Sequence, residues 1–134
     1  VAGKSCGAGR LTITPGETSL GGFSVVTLNA VDGQELGQSG RYLIAAVSRC
    51  RNLGMKHTSE GNSVGRNWGH GPTQCEGVPL TISVPRPQGS VQAFALAPDG
   101  TRRNELSAAK KGDRVIFQAT SNEKTLWYEL VLDD

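Results

Sequence analysis

Both histidines of the chain, His57 and His70, lie in one stretch, residues 52–77 (NLGMKHTSEGNSVGRNWGHGPTQCEG), with Trp68, one of only two tryptophans, near its centre. Arg66 and Asn67 adjoin the indole in sequence. Hydrolytic or nucleophilic catalysis would need a base held against a nucleophile, or a pair of converging carboxylates. No Ser or Cys near the histidines sits in a nucleophile-elbow sequence. The acidic residues fall mostly in turn sequences (Asp32, Asp99, Asp113) or at the end of the chain (Asp133, Asp134). Glu60, Glu76 and Glu129 could approach the stretch, but isolated carboxylates on a small domain are ordinarily surface groups. A phosphate-binding glycine loop is also a poor fit: GRNWG at 65–69 lacks the Lys-Ser/Thr pair and does not open a helix. Catalysis by this chain alone is therefore not expected, and no catalytic residue is nominated.

Sugar binding asks for different groups. Pyranose rings present patches of C–H that stack on indole or phenol faces, and their hydroxyls hydrogen-bond to Asn, Gln, Arg, Glu and His. Apolar contact with a few placed polar groups is the general makeup of a ligand site. Trp68 and Trp127 are the expected stacking platforms, with Tyr128, His57, Arg66, Asn67, His70 and Glu129 as the accompanying candidates. Two Trp, two Tyr and three Phe are enough for a short cleft, not for a broad aromatic plane.

The stretch that would hold most of these groups has six glycines, one proline and no usable helix or strand period. Structureless loops longer than about 12–15 residues are uncommon in compact domains and are usually functional or disordered. Disordered segments avoid large apolar residues, whereas this one contains Met55, Val64 and Trp68. It reads as an ordered binding loop. The alternative is a loop folded over the edge of the core, with Trp68 filling a gap.

Strand signals dominate the rest. LTIT at 11–14 alternates and stops at Pro15-Gly16, and FSVVTL at 23–28 leads to an Asp32-Gly33 turn. Residues 42–47 are apolar at nearly every position, which predicts a central strand covered on both faces. Val78, Leu80, Ile82 and Val84 alternate inward, with Thr81 and Ser83 outward. A turn is expected at 85–89, a strand at 91–97, and a turn at Pro98-Asp99-Gly100. Residues 114–120 and 125–132 read as a last hairpin around 121–124, and only 104–111 has room for a turn or two of helix. On the final strand Leu126, Tyr128, Leu130 and Leu132 share the better core face, which leaves Trp127, Glu129 and Val131 on the other. Seven or so strands at this spacing predict an all-β fold, an antiparallel β-sandwich of jelly-roll or Greek-key type with one long ordered loop.

The totals bound what such a domain can meet. The 134 residues make a single domain, and 19% charged residues with a net charge of +2 leave no large field of either sign. The basic residues form no aromatic-interleaved stripe, so nucleic acid is not an expected partner. No apolar run approaches the roughly 20 residues of a membrane-spanning helix. The opening VAGKSCGAGR reads as cut from a longer chain, so the lack of a signal sequence says little about export. No cofactor is expected. Asp32, Asp99 and Asp113 are too dispersed to nominate a calcium cage, although a structural calcium ion stays open. Cys6, Cys50 and Cys75 lack zinc-site spacing. Cys50 closes one strand and Cys75 lies near the start of the next, so a bridge across the long stretch fits their placement and leaves Cys6 free. In the loop-entropy model it would contribute roughly 3 kcal/mol, and it would imply an oxidising compartment.

A series of short motifs resembles a known family. These are LNAVDGQEL at 28–36, RYLIAAV at 41–47, NLGMK at 52–56, SVG at 63–65, Trp68-Gly69, GPT at 71–73, EGVP at 76–79 and KTLWYEL at 124–130. In this order they resemble a β-sandwich domain found at the C-terminus of large bacterial polysaccharide-degrading enzymes, over roughly residues 23–132. The resemblance implies an accessory, carbohydrate-binding-module-like domain, secreted with a catalytic glycoside hydrolase domain in the same chain. On the residue reading above, the expected ligand is a β-linked plant glucan such as cellulose or xyloglucan. The rival expectation is a structural domain that packs on its catalytic partner without binding sugar. Two departures matter. The family pattern has an aromatic where this chain has His57, which weakens stacking there. It has aliphatic residues at Cys50 and Cys75, and the paired replacement strengthens the disulfide reading.

Overall fold

A computed structural model of the chain describes residues 2–3, 5–85 and 89–133. Among them are twelve strands, one 3-10 turn and no α-helix. The strands are β1 (Cys6–Ala8), β2 (Leu11–Pro15), β3 (Val25–Ala30), β4 (Arg41–Val47), β5 (Cys50–Leu53), β6 (His70–Cys75), β7 (Leu80–Pro85), β8 (Ser90–Leu96), β9 (Arg102–Leu106), β10 (Ala108–Lys111), β11 (Arg114–Ala119) and β12 (Trp127–Asp133). Two five-stranded antiparallel sheets, ordered β1-β2-β7-β11-β10 and β3-β4-β12-β8-β9, pack face to face as a β-sandwich. β5 and β6 pair only with each other and stand outside both sheets.

Period-two alternation builds the core. β7 contributes Leu80, Ile82 and Val84, and β11 contributes Val115 and Phe117; from the other sheet come Tyr42, Ile44, Ala93, Ala95, Tyr128, Leu130 and Leu132. Phe117 and Tyr128 meet across the interface with ring centroids 5.7 Å apart. Removing a large apolar side chain of this kind from water is worth about 1.5–3 kcal/mol. The two buried phenols also find acceptors: Tyr42 Oη donates to the Leu36 carbonyl at 2.8 Å and Tyr128 Oη to that of Thr125 at 3.4 Å.

Several elements differ from the sequence reading. β4 is covered on one face only, because Leu43 and Val47 point out of the sandwich and are exposed. The apolar run reflects an open sheet face, not a second covering layer. Residues 104–111 are strand, not helix. β9 pairs with β8 and β10 with β11, and Leu106 and Ala108 pack against the core, so tertiary pairing overrides helix-permissive composition. The expected last hairpin does not form either. β11 pairs with β7 and β10, whereas β12 inserts between β4 and β8, so the 3-10 turn Ser121–Glu123 carries the chain from one sheet to the other. The short edge strand β1 has no sequence signal. The turn expected at 85–89 lies mostly outside the described residues.

The register fixes what the outer face of the second sheet presents. Glu129 sits between Leu43 and Phe94, and Trp127 lies opposite Ala45. Arg41 Nε reaches Glu129 Oε1 at 2.5 Å and Arg102 Nε reaches Oε2 at 2.6 Å, while the Arg102 guanidinium lies 4.1 Å over the Phe94 ring.

Candidate functional site

The stretch read as one long loop is a projecting β-hairpin with an ordered 16-residue tip, residues 54–69. Cys50 and Cys75 face each other in register and are joined by a disulfide, with Cα atoms 4.1 Å apart. The Glu76 amide donates to the Arg49 carbonyl at 2.8 Å, so the next pair out is of the non-hydrogen-bonded kind, in which side chains approach closest. Alternation puts Asn52 and Thr73 on the disulfide's face, where Thr73 Oγ1 donates to Asn52 Oδ1 at 2.8 Å. The opposite face takes Arg49, Arg51, Gln74 and Glu76. Cys6 remains a free, exposed thiol.

Turn chemistry shapes the tip. The Thr58 amide donates to the Ser63 carbonyl at 2.8 Å, the Lys56 amide to that of Asn67 at 3.1 Å, and the Asn67 amide to that of Val64 at 2.8 Å. Asn52 Nδ2 holds the Trp68 carbonyl at 3.1 Å. Gly69 makes this approach possible. Its φ is +66°, and a Cβ there would lie 2.1 Å from the Leu53 carbonyl oxygen. The backbone on both sides of Trp68 is thus pinned, while its side chain is 62% exposed.

Trp68 borders a cleft of about 450 Å³ at the tip, with Met55, His57, Asn62, Ser63 and Val64. Trp127, 37% exposed, borders a second cleft of about 490 Å³, where the end of β12 faces Thr73, Gln74 and Cys75 of β6, with Arg103 and Lys124 alongside. The two clefts share no residue, so the tryptophans form two separate platforms. A larger cleft of about 600 Å³ lies between residues 8–11 and 35–38, but no aromatic side chain lines it, so it does not meet the stacking requirement.

Of the remaining candidates, His57 joins Trp68 in the tip cleft. Arg66 and Asn67 are exposed beside it without lining it. His70 is exposed on β6, with Nδ1 2.7 Å from the Gly71 carbonyl. Two expectations are overturned. Tyr128 is fully buried beside Phe117 and cannot touch a ligand. Burial and the nearby charge of Glu123 push its phenol up to about 12. Glu129 is 5% exposed, and both of its oxygens are taken by Arg41 and Arg102. Burial alone would raise its carboxyl, but those two hydrogen bonds and charges outweigh it and hold the group below the ordinary carboxylate range. Glu129 is a structural clamp on the sheet's outer face.

The sequence reading passed over Thr73, Gln74, Arg103 and Lys124 as partners of Trp127. They come from three separate segments, and only the crossing of β6 past the end of β12 unites them. The three dispersed aspartates serve separate turns. Asp32 accepts from the Gln34 amide, Ser39 Oγ and the Gly40 amide, Asp99 accepts from Thr101, and Asp113 pairs with Arg10. Among the described residues no three His, Cys, Asp or Glu side chains converge as metal ligands. Compared with protein-family models, curated proteins and solved structures, the chain gives no match.

Proposed function

We propose that this domain is a non-catalytic carbohydrate-binding module, carried on a secreted polysaccharide-degrading enzyme, that recognises β-linked glucan chains. One observation carries the reading: the indole of Trp68 is held out in water by a pinned, disulfide-closed hairpin, at the border of a cleft with His57, Asn62 and Ser63. A rigid exposed aromatic beside a few polar groups is the combination that sugar stacking requires. Trp127 adds a second platform near the hairpin base. The Cys50–Cys75 disulfide is compatible with an extracellular protein.

Affinity electrophoresis against a panel of soluble polysaccharides tests the reading. Trp68→Ala and Trp127→Ala should each weaken binding of the best glycan by about thirtyfold, the scale of an anchor aromatic worth about 2 kcal/mol. Trp68→Ala should leave the melting transition unchanged to within about 0.5 kcal/mol, as expected for an exposed side chain. If both variants fold and bind like the parent, the aromatic platforms are not a sugar site.

A second reading, a domain that docks on a catalytic partner without touching sugar, draws on a different surface. Val25, Leu43, Val47 and Trp127 are exposed together on the outer face of the second sheet. Under that reading Leu43→Lys would weaken docking and Trp68→Ala would not.

A further inference from the structure

We infer that the ligand of this module is an acidic polysaccharide, with an anionic substituent held at the base of the hairpin while a neutral ring stacks on Trp127. The inference rests on the sugar-binding reading and changes its ligand from a neutral glucan to a charged polysaccharide. Residues 49–76 contain four of the chain's 14 basic residues and two of its 12 acidic ones. The excess equals the net +2 of the whole chain, and the remainder is balanced.

The disposition of those charges matters more than their sum. Five arginines of the sandwich are engaged internally. Arg10 pairs with Asp113, Arg41 and Arg102 with Glu129, Arg103 donates to the Lys124 carbonyl, and Arg114 to Ser83. Among the described residues of the hairpin, the Arg51 and Arg66 side chains have no hydrogen bond or ion pair within the chain.

Arg51 and Arg49 line a cleft of about 410 Å³ with Ser19, Gln74 and Glu76. Among the described residues Glu76 forms no ion pair in it: Oε1 accepts from the Ser19 amide at 2.6 Å and Oε2 from Ser19 Oγ at 2.8 Å. The nearby charge of Arg49 adds to those hydrogen bonds in lowering its carboxyl, but Arg51 is left without a carboxylate partner. This cleft shares Gln74 and Cys75 with the Trp127 cleft, so the two adjoin along β6. Together their linings contain Arg49, Arg51, Arg103 and Lys124 against the single carboxylate of Glu76. A guanidinium fork without an internal acceptor, in a cleft that adjoins one bordered by an indole, matches the carboxylate of a uronic acid or the sulfate ester of a sulfated sugar. A neutral glucan would leave those donors to water.

Three matched polymers decide it: a neutral β-glucan, its carboxymethylated derivative and its sulfated derivative, each titrated with the intact 134-residue chain at low and high salt. At least one anionic polymer should bind about tenfold tighter than the neutral one, with the advantage shrinking as salt rises. Arg51→Gln combined with Lys124→Asn should abolish that advantage. Both side chains are exposed, and Asn suits the left-handed backbone at position 124 (φ 52°), so the fold should be retained. Lys110→Gln, on edge strand β10 away from both clefts, should leave the preference intact. A carboxymethyl preference alone assigns a uronate, and a sulfate preference alone assigns a sulfated sugar. Equal binding of all three polymers overturns this inference and leaves the sugar-binding reading standing. An anionic preference that survives the double variant also overturns it. Binding of none overturns both.

Discussion

Between the two sheets Tyr42, Ile44, Phe117, Tyr128 and Leu130 are shut away from water, whereas between Cys50 and Cys75 not one residue is buried. Both regions contain paired β-strands joined by defined turns. In the sandwich, burial of apolar side chains fixes the strands, and the nearly buried Glu129 is held by two arginines. In the hairpin, fixed backbone geometry takes the place of burial: a cross-strand disulfide at the base, a glycine at the one position where a Cβ would strike the Leu53 carbonyl, and short-range hydrogen bonds through the tip. A segment ordered in this way can leave its large aromatic exposed, because its shape does not depend on hiding that ring. The sandwich cannot do the same with Tyr128.

Substitutions in the two regions should therefore separate stability from binding. The largest effect belongs to the core. Tyr128→Ala should destabilise the protein by about 3–5 kcal/mol, read from urea denaturation, and binding should disappear only where folding does. If the purified variant unfolds no more easily than the parent, the packing against Phe117 is not what holds the sheets together. Next comes the staple. Cys50→Ser with Cys75→Ser removes a link whose loop-entropy contribution is roughly 3 kcal/mol. Hydrogen exchange should accelerate across residues 52–73 while β4 and β12 keep their protection. Uniform acceleration throughout would mean that hairpin and sandwich form a single cooperative unit.

The smallest effect is expected at the clamp on the sheet's outer face. Glu129→Gln should cost about 1–2 kcal/mol at neutral pH, with the strength of the charged pairs reduced by the half-exposed arginines. Its sign with pH follows from the lowered carboxyl. Glu129 binds its proton more weakly when folded than its ordinary value of 4.5, so the contribution is complete above that value and fades as pH falls through the folded one. Asp32, Glu76 and Asp99 shift in the same direction and steepen the same acid limb. Melting temperature should stay level from neutral pH to about 5 and then drop, and the penalty of Glu129→Gln should shrink there. A penalty that stays constant down to pH 3 would contradict the clamp.

What the sequence makes legible follows the same division. Strands with one wet and one dry face announce themselves: the Val78, Leu80, Ile82, Val84 alternation and the opposed faces of β12 are read correctly, down to Trp127 pointing away from the core. β5 and β6 are invisible because both of their faces are wet, so no period arises. β9 and β10 are mistaken for helix-permissive sequence because edge strands bury little and tolerate Glu, Lys and Ala. Tyr128 and Glu129 are misassigned at the site for a related reason. Residue type nominates a sugar ligand, but only cross-strand neighbours reveal that one is core and the other already paired. The meeting of Gln74, Lys124 and Trp127 is a property of the chain crossing, and no local signal carries it.

β12 is the last strand in order of synthesis among the described residues, yet it lies in the middle of its sheet, between β4 and β8. As the chain leaves the ribosome at about 5–20 residues per second, the sheet of β1, β2, β7, β10 and β11 is complete in sequence by Ala119. The other sheet is then still two separate halves, each with an unpaired inner edge. Until Asp133 has emerged, both edges are free to pair with a neighbouring nascent chain. The strand that carries Trp127 is thus also the one that closes the second sheet, and a chain truncated before it should expose two unpaired strand edges.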